Sequence, residues 1–147
     1  MIKIYIDMDD VLCDFSGARK EALSKCPEMP YPQSQVDFFR KLKPLKGAVE
    51  GIKFLRSNFD VSLATAPSIK NPLCYTEKAM WVKDIIGEDM LNELIIINQK
   101  HLLIGDYLID DRTNTNGQDK FKGTLIHFGS EEFPDWDAVV AYFKKLI

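Results

Sequence analysis

Soft metal ligands are scarce in this chain, which has two histidines and three cysteines among 147 residues. Neither His101 nor His127 falls beside a cysteine at zinc-ligand spacing, which argues against a zinc site. Cys13, Cys26 and Cys74 are odd in number and irregularly spaced, with no CxxC pair and no disulfide framework, so all three are expected as reduced packing residues. Apolar runs of membrane-spanning length are missing, and no basic segment followed by an apolar stretch opens the sequence; the expectation is a cytoplasmic protein without a membrane partner. An excess of positive charge is missing too. Lys and Arg total 19 against 22 Asp and Glu, for a net charge of −3, and the cations are scattered rather than gathered into a stripe. That argues against a nucleic-acid polymer as partner, although single nucleotides stay open. With 7 Pro, 8 Gly, no repeat and no low-complexity segment, nothing indicates disorder. A 46% hydrophobic chain of this length fits one domain, 1–147, with a sizeable core.

What is present starts at Ile2-Lys3-Ile4-Tyr5-Ile6, an apolar β-forming run followed by Asp7, Asp9 and Asp10. Side chains alternate along an extended segment, so Asp7 and Asp9 can share one side while Met8 turns away. Like charges that close repel. A helix N-cap would account for one acid; a divalent cation, or a proton held by one of the pair, would account for the cluster.

Helical spacing predicts helices over residues 15–25, 33–42, 48–58, 75–86 and 136–146. Apolar β-forming runs predict strands at 61–65, 94–97, 107–109 and 124–128. The run at 94–97 is nearly unbroken, as in a sheet covered on both faces. Alternating strands and helices imply an α/β fold with an open, parallel, Rossmann-like sheet. The helical surplus after the first strand is expected to form a small helical cap at about 15–44, over a core of 1–14 and 45–147.

In such sheets ligands bind beyond the carboxyl ends of the strands. The positions following the predicted strands are Asp7, Asp9 and Asp10, then Thr65, then Asn98 with Lys100, then Asp110 and Asp111. Each has an ordinary reading as a turn, a strand end or a solvated charge. Together they supply what phosphoryl transfer needs: oxygen ligands for a hard cation, a cation for phosphate oxygens and a hydroxyl donor.

The order DxD, Thr, Lys, DD resembles the haloacid-dehalogenase superfamily. Asp-Met-Asp-Asp-Val-Leu-Cys-Asp-Phe, Pro-Leu-Lys-Gly-Ala-Val-Glu, the run of Tyr75, Glu77, Lys78 and Trp81, and Leu-Ile-Asp-Asp-Arg together resemble its 5′(3′)-deoxyribonucleotidases, the cytosolic type C 5′-nucleotidase family. The resemblance implies a haloacid-dehalogenase-like fold and a phosphatase working through an aspartyl-phosphate. Asp7 would be the nucleophile, and Asp9 the acid that protonates the leaving group and later activates water. Thr65 and Lys100 would bind phosphate. Asp7, the Asp9 backbone carbonyl and Asp111 would hold Mg²⁺, with Asp110 an ancillary acid. Lys78 is a rival for the lysine role, although its place inside a helix favours a surface charge, and Arg112 pairs with nearby acids. Two departures stand out: position 10 is Asp where relatives commonly have Gly, and the cap is shorter than in the vertebrate enzymes and lacks their Trp-bearing segment. Phe15, Phe38 and Phe39 could contact a base in its place, or belong to the core. A nucleotide is the expected small-molecule phosphomonoester, with a sugar phosphate as the alternative substrate and a receiver-like phosphorylation switch as the alternative class. A homodimer is left open as an assembly.

Overall fold

The computed structural model describes residues 1–147. The strand β1 (Lys3–Ile6) lies at the centre of a five-stranded sheet. It pairs in parallel with β2 (Asp60–Thr65) on one side and with β4 (Tyr107–Asp110) on the other. Outside these run β3 (Leu94–Ile96) against β2 and β5 (Thr124–His127) against β4, also parallel, so the strand order is β3-β2-β1-β4-β5. Alternation places Ile4 and Ile6 in the larger core and Tyr5 in a smaller cluster with Ala64, Leu103, Leu108 and Phe121. The expectation of an open parallel α/β sheet holds. β3 is an edge strand and is only half-buried, so its apolar run does not reflect full coverage of both faces.

Four helices accompany the sheet: α1 (Phe15–Lys25), α2 (Ala48–Asn58), α3 (Leu73–Trp81) and α4 (Trp136–Lys144). The larger core joins α2 and α4 to the sheet through Ile52, Leu55, Trp136, Val139 and Phe143. α3 continues as a wider π turn, Val82–Ile86, that ends at Gly87 with φ 143°. No helix is long and apolar enough to cross a membrane.

Residues 15–44 leave and return at one point, where Asp14 N donates to Lys43 O at 2.8 Å and Leu45 N to Leu12 O at 2.8 Å. α1 buries none of its residues, so it lies on the outside of this excursion. The helix predicted over 33–42 is absent: a 3₁₀ turn at Pro32–Ser34 is followed by irregular chain. Asp37 there takes a left-handed φ of 67°, and the buried Glu77 carboxylate accepts from Asp37 N at 2.9 Å and Phe39 N at 3.1 Å. A tertiary carboxylate thus takes backbone donors that a helix would have used internally. Cys13 and Cys74 are buried as expected, but Cys26 is exposed just beyond α1 and is no packing residue.

Trp136 locks α4 to the turn that follows β1, its indole N–H donating to Val11 O at 2.7 Å while the ring lies against Gly51 of α2. A Cβ at position 51 would sit 2.4 Å from Trp136 Cε3. Ala normally stabilises a helix by about 1 kcal/mol over Gly. Here Gly51→Ala is expected to destabilise instead, by about 1–3 kcal/mol, because the buried ring cannot yield without repacking. Denaturant unfolding of the two proteins checks the sign.

Candidate active site

The chain beyond β1 first prolongs the ladder and then turns sharply. Asp7 N donates to Ile109 O at 2.9 Å, after which Val11, Leu12 and Cys13 all donate backbone N–H to Met8 O. Asp10 sits in this turn at φ 61°, a conformation Asp tolerates better than most residues, and its carboxylate accepts from Ser16 N at 2.8 Å and Ser16 Oγ at 2.6 Å. That departure from Gly therefore ties the turn to the start of α1.

β4 ends beside β1 and brings Asp110 and Asp111 against Asp7. One carboxylate oxygen from each of the three lies within 4.8 Å of the others. Lys100, in a 3₁₀ turn at Lys100–Leu102, reaches between two of them, donating to Asp7 Oδ1 at 2.8 Å and to Asp110 Oδ2 at 2.6 Å. All three of these residues are buried. Burial works against the ammonium, but the charges of Asp7 and Asp110 outweigh it and hold Lys100 above the ordinary lysine pKa. For Asp110, burial and then the Asp7 charge push the carboxyl up, with Lys100 pulling it back. Gln118, buried in a second 3₁₀ turn, donates from Nε2 to Asp110 Oδ2 at 3.2 Å and accepts from Asn116 N at 2.7 Å. Lys100 N in turn donates to Asn116 O at 2.7 Å, which closes a ring of contacts around the lysine.

Asp111 is the acid least compensated by protein groups. Burial, then Asp7 and Asp110, push it up to about 8. Its one ion pair, with Arg112 Nε at 3.6 Å, is to a largely exposed side chain. A carboxyl that resists ionisation for want of a counter-charge, in a group of three that offers oxygen donors only, fits a hard divalent cation.

The second half of the DxD pair points elsewhere. Asp9 Oδ2 accepts from Lys78 Nζ at 3.0 Å, and the same ammonium donates to Thr65 Oγ1 at 2.7 Å. Lys78 is 1% exposed, so the expectation of a surface charge fails; the helix periodicity of α3 turns this residue inward, onto an acid nearly seventy positions earlier. Burial disfavours its charge, yet Asp9 and the neighbouring groups keep its pKa above the ordinary value. Cys13 Sγ lies 3.6 Å from Asp9 Oδ1, and burial together with Asp9 pushes the thiol pKa well up, so the sulfur is a donor here.

These groups meet in a cleft of about 270 Å³. Asp7, Asp9, Asp10, Lys100, Asp110, Asp111 and Arg112 line its floor; Phe15, Gln33 and Phe39 come from the 15–44 excursion, and Ser68, Thr115, Asn116 and Gln118 from loops. Thr65 and Lys78 lie behind that surface, with Lys78 bonded to both Asp9 and Thr65. Phe38 is not brought to the cleft; it lines a separate groove beside Ala18, Ala22 and Leu42. Phe15 and Phe39 do reach it, stacked on each other with centroids 5.9 Å apart. Gln33 and Gln118 escaped the sequence reading, and Glu77 entered it only within the run that resembles the family, without a role, since a lone amide or acid outside a strand end carries no pattern.

Comparison with known proteins agrees with this geometry. The family model described as 5′ nucleotidase, deoxy (pyrimidine), cytosolic type C protein matches residues 29–133. A Vibrio phage KVP40 protein assigned as a 5′(3′)-deoxyribonucleotidase is 39% identical over 146 residues, covering 97% of this chain and 84% of its own. The human mitochondrial 5′(3′)-deoxyribonucleotidase is 27% identical over 170 residues, covering 95% of this chain and 69% of its own. Among solved structures, a haloacid-dehalogenase-like family hydrolase from Xanthomonas campestris shares the fold, with a TM-score of 0.68 at 11% identity over 99% of this chain and 91% of that one. The chain belongs to the cytosolic type C 5′-nucleotidase family.

Proposed function

We propose that the protein is a Mg²⁺-dependent phosphomonoesterase that dephosphorylates 5′(3′)-deoxyribonucleoside monophosphates through an aspartyl-phosphate on Asp7. The observation that carries this reading is the division of the two DxD carboxylates between different lysines, Asp7 on Lys100 and Asp9 on Lys78, at one end of a parallel sheet. Identical side chains two residues apart thereby receive different environments, as a nucleophile and an acid–base partner require.

Asp7 attacks phosphorus through a carboxylate oxygen, forming the acyl phosphate while the ester oxygen departs and takes a proton from Asp9. Asp9 then accepts a proton from a water that attacks phosphorus, releasing inorganic phosphate and restoring the Asp7 carboxylate. Lys100 neutralises charge on the transferred group and holds Asp7 in place. Thr65 accepts from Lys78, and because it is buried behind the cleft surface its part in phosphate binding is to hold that lysine against Asp9. The carboxylates of Asp7 and Asp111 and the backbone carbonyl of Asp9 would hold the Mg²⁺, whose charge polarises the phosphoryl oxygens. Asp110, engaged by Lys100, Gln118 and Arg112 N, is the ancillary acid that supports them. Residues 15–44 act as a small cap, placing Phe15 and Phe39 over the part of the substrate beyond the phosphate. The cytoplasm is the proposed site of action.

Phosphate release across deoxy- and ribonucleoside monophosphates and sugar phosphates, with and without Mg²⁺, tests the assignment: deoxynucleotides should be the better substrates, and sugar phosphates outranking them would overturn it.

Asp9→Asn should lower kcat on alkyl phosphates by about 10²–10⁴, and far less on p-nitrophenyl phosphate, whose leaving group needs no proton. Equal losses on both would remove Asp9 from the acid role.

Linkage gives a prediction for the protein in EDTA. Asp111 titrates at about 8 in the fold and at about 3.9 in the unfolded chain. Between those values the folded state binds the extra proton, so stability falls as pH rises. Thermal midpoints should decline over this range in EDTA, the decline should flatten in Asp111→Asn, and saturating Mg²⁺ should abolish it in the parent. An unchanged slope in the variant would mean that Asp111 is not the strained acid.

A further inference from the structure

Three side chains of the 15–44 excursion face the cleft, and two of them are the stacked rings of Phe15 and Phe39. The third, Gln33, is the one able to hydrogen-bond. Its Oε1 is buried with no hydrogen-bond partner. The backbone around it is firmly held: Asn71, itself 3% exposed, donates Nδ2 to Gln33 O at 2.9 Å, and Gln35 N donates to Pro32 O at 3.1 Å. The orphaned atom therefore belongs to a fixed element of the cleft wall.

An acceptor removed from water and given no donor is disfavoured in the free protein, and buried polar groups of this kind are rare unless something else satisfies them. The terminal torsion of Gln is broad, and a modest rotation presents the oxygen to the cleft. No acid or lysine of the catalytic floor contacts this amide, which sets it apart from the phosphate-handling groups.

We propose that Gln33 is a specificity-determining residue whose carboxamide oxygen accepts a hydrogen bond from an N–H on the edge of a nucleobase lying beside Phe15 and Phe39. The inference rests on the nucleotide reading above and adds to it the group that recognises the base. A site with an unpaired acceptor favours substrates that bring a donor and discriminates against those that do not.

The test compares two substrates that carry the same phosphate and sugar, a deoxynucleoside 5′-monophosphate and base-free 2-deoxyribose 5-phosphate. For wild type, kcat/KM should favour the nucleotide. In Gln33→Met, which keeps the length of the side chain and removes the acceptor, the ratio of the two kcat/KM values should fall roughly tenfold, through KM of the nucleotide. Gln33→Glu keeps an oxygen acceptor, and its ratio should lie closer to wild type; any general electrostatic effect on phosphate cancels in the ratio. A wild-type ratio retained in Gln33→Met would overturn the proposal while the nucleotide reading stands. If Gln33→Glu falls as far as Gln33→Met, the acceptor role is overturned. If wild type shows no preference for the nucleotide over the base-free sugar phosphate, both readings fall together.

Discussion

Everything at the carboxyl edge of this sheet depends on neutralising acids that are held out of water. Asp7 and Asp110 are both buried, and one lysine ammonium bonds to each of them. Two like charges in such a place would otherwise repel and lose their hydration, so removing Lys100 would leave uncompensated buried charge, a loss typically worth about 3–5 kcal/mol. The arrangement repeats at Asp9 with Lys78. Even with two buried lysines the edge stays short of cations, and the shortfall gathers on Asp111. In the proposed function a divalent ion makes up that shortfall.

The topology explains why these groups meet. β1 lies between β2 and β4, so the chain runs outward in one direction to β3 and then returns across β1 to begin β4. The acids of two distant segments therefore end side by side, and Lys100 enters from the connection between them. α3 completes the edge from behind with three consecutive functions on one helix. Glu77 holds the returning loop at residues 37 and 39, Lys78 bonds to Asp9, and the Trp81 indole donates to Leu42 O at 2.7 Å. A single short helix thus fixes both Asp9 and the segment that overhangs it. Rigid support of this kind keeps reactive groups within the narrow geometry that phosphoryl transfer needs.

The sheet and its acidic edge were legible in the chain because both follow local rules. Ile4, Ile6, Val61 and Leu63 are apolar runs of strand length, and the acids stand where such runs end. The stretch at 33–42 was not legible. Val36, Phe38, Phe39 and Leu42 have helical spacing, but the Glu77 carboxylate, about forty positions away, accepts from backbone N–H groups of this stretch and Asp37 adopts a left-handed turn. Lys78 posed the same difficulty in reverse: its burial follows from the presence of Asp9 and Thr65, which no window around α3 contains. Gln33 and Gln118 owe their interest entirely to what they do or do not touch in three dimensions. Local pattern determines where chemistry collects in this chain, and long-range pairing determines which groups serve it.

The proposed function turns on phosphorylation of Asp7 in each turnover. Quenching the enzyme during hydrolysis of a deoxynucleoside monophosphate and reducing it with borohydride would convert an acyl phosphate to the alcohol, leaving homoserine in place of the modified aspartate. Peptide mass spectrometry should place that change at position 7 and find none in Asp7→Asn. Reduction at a different carboxylate, or unmodified Asp7 in enzyme quenched at full turnover, would contradict the account.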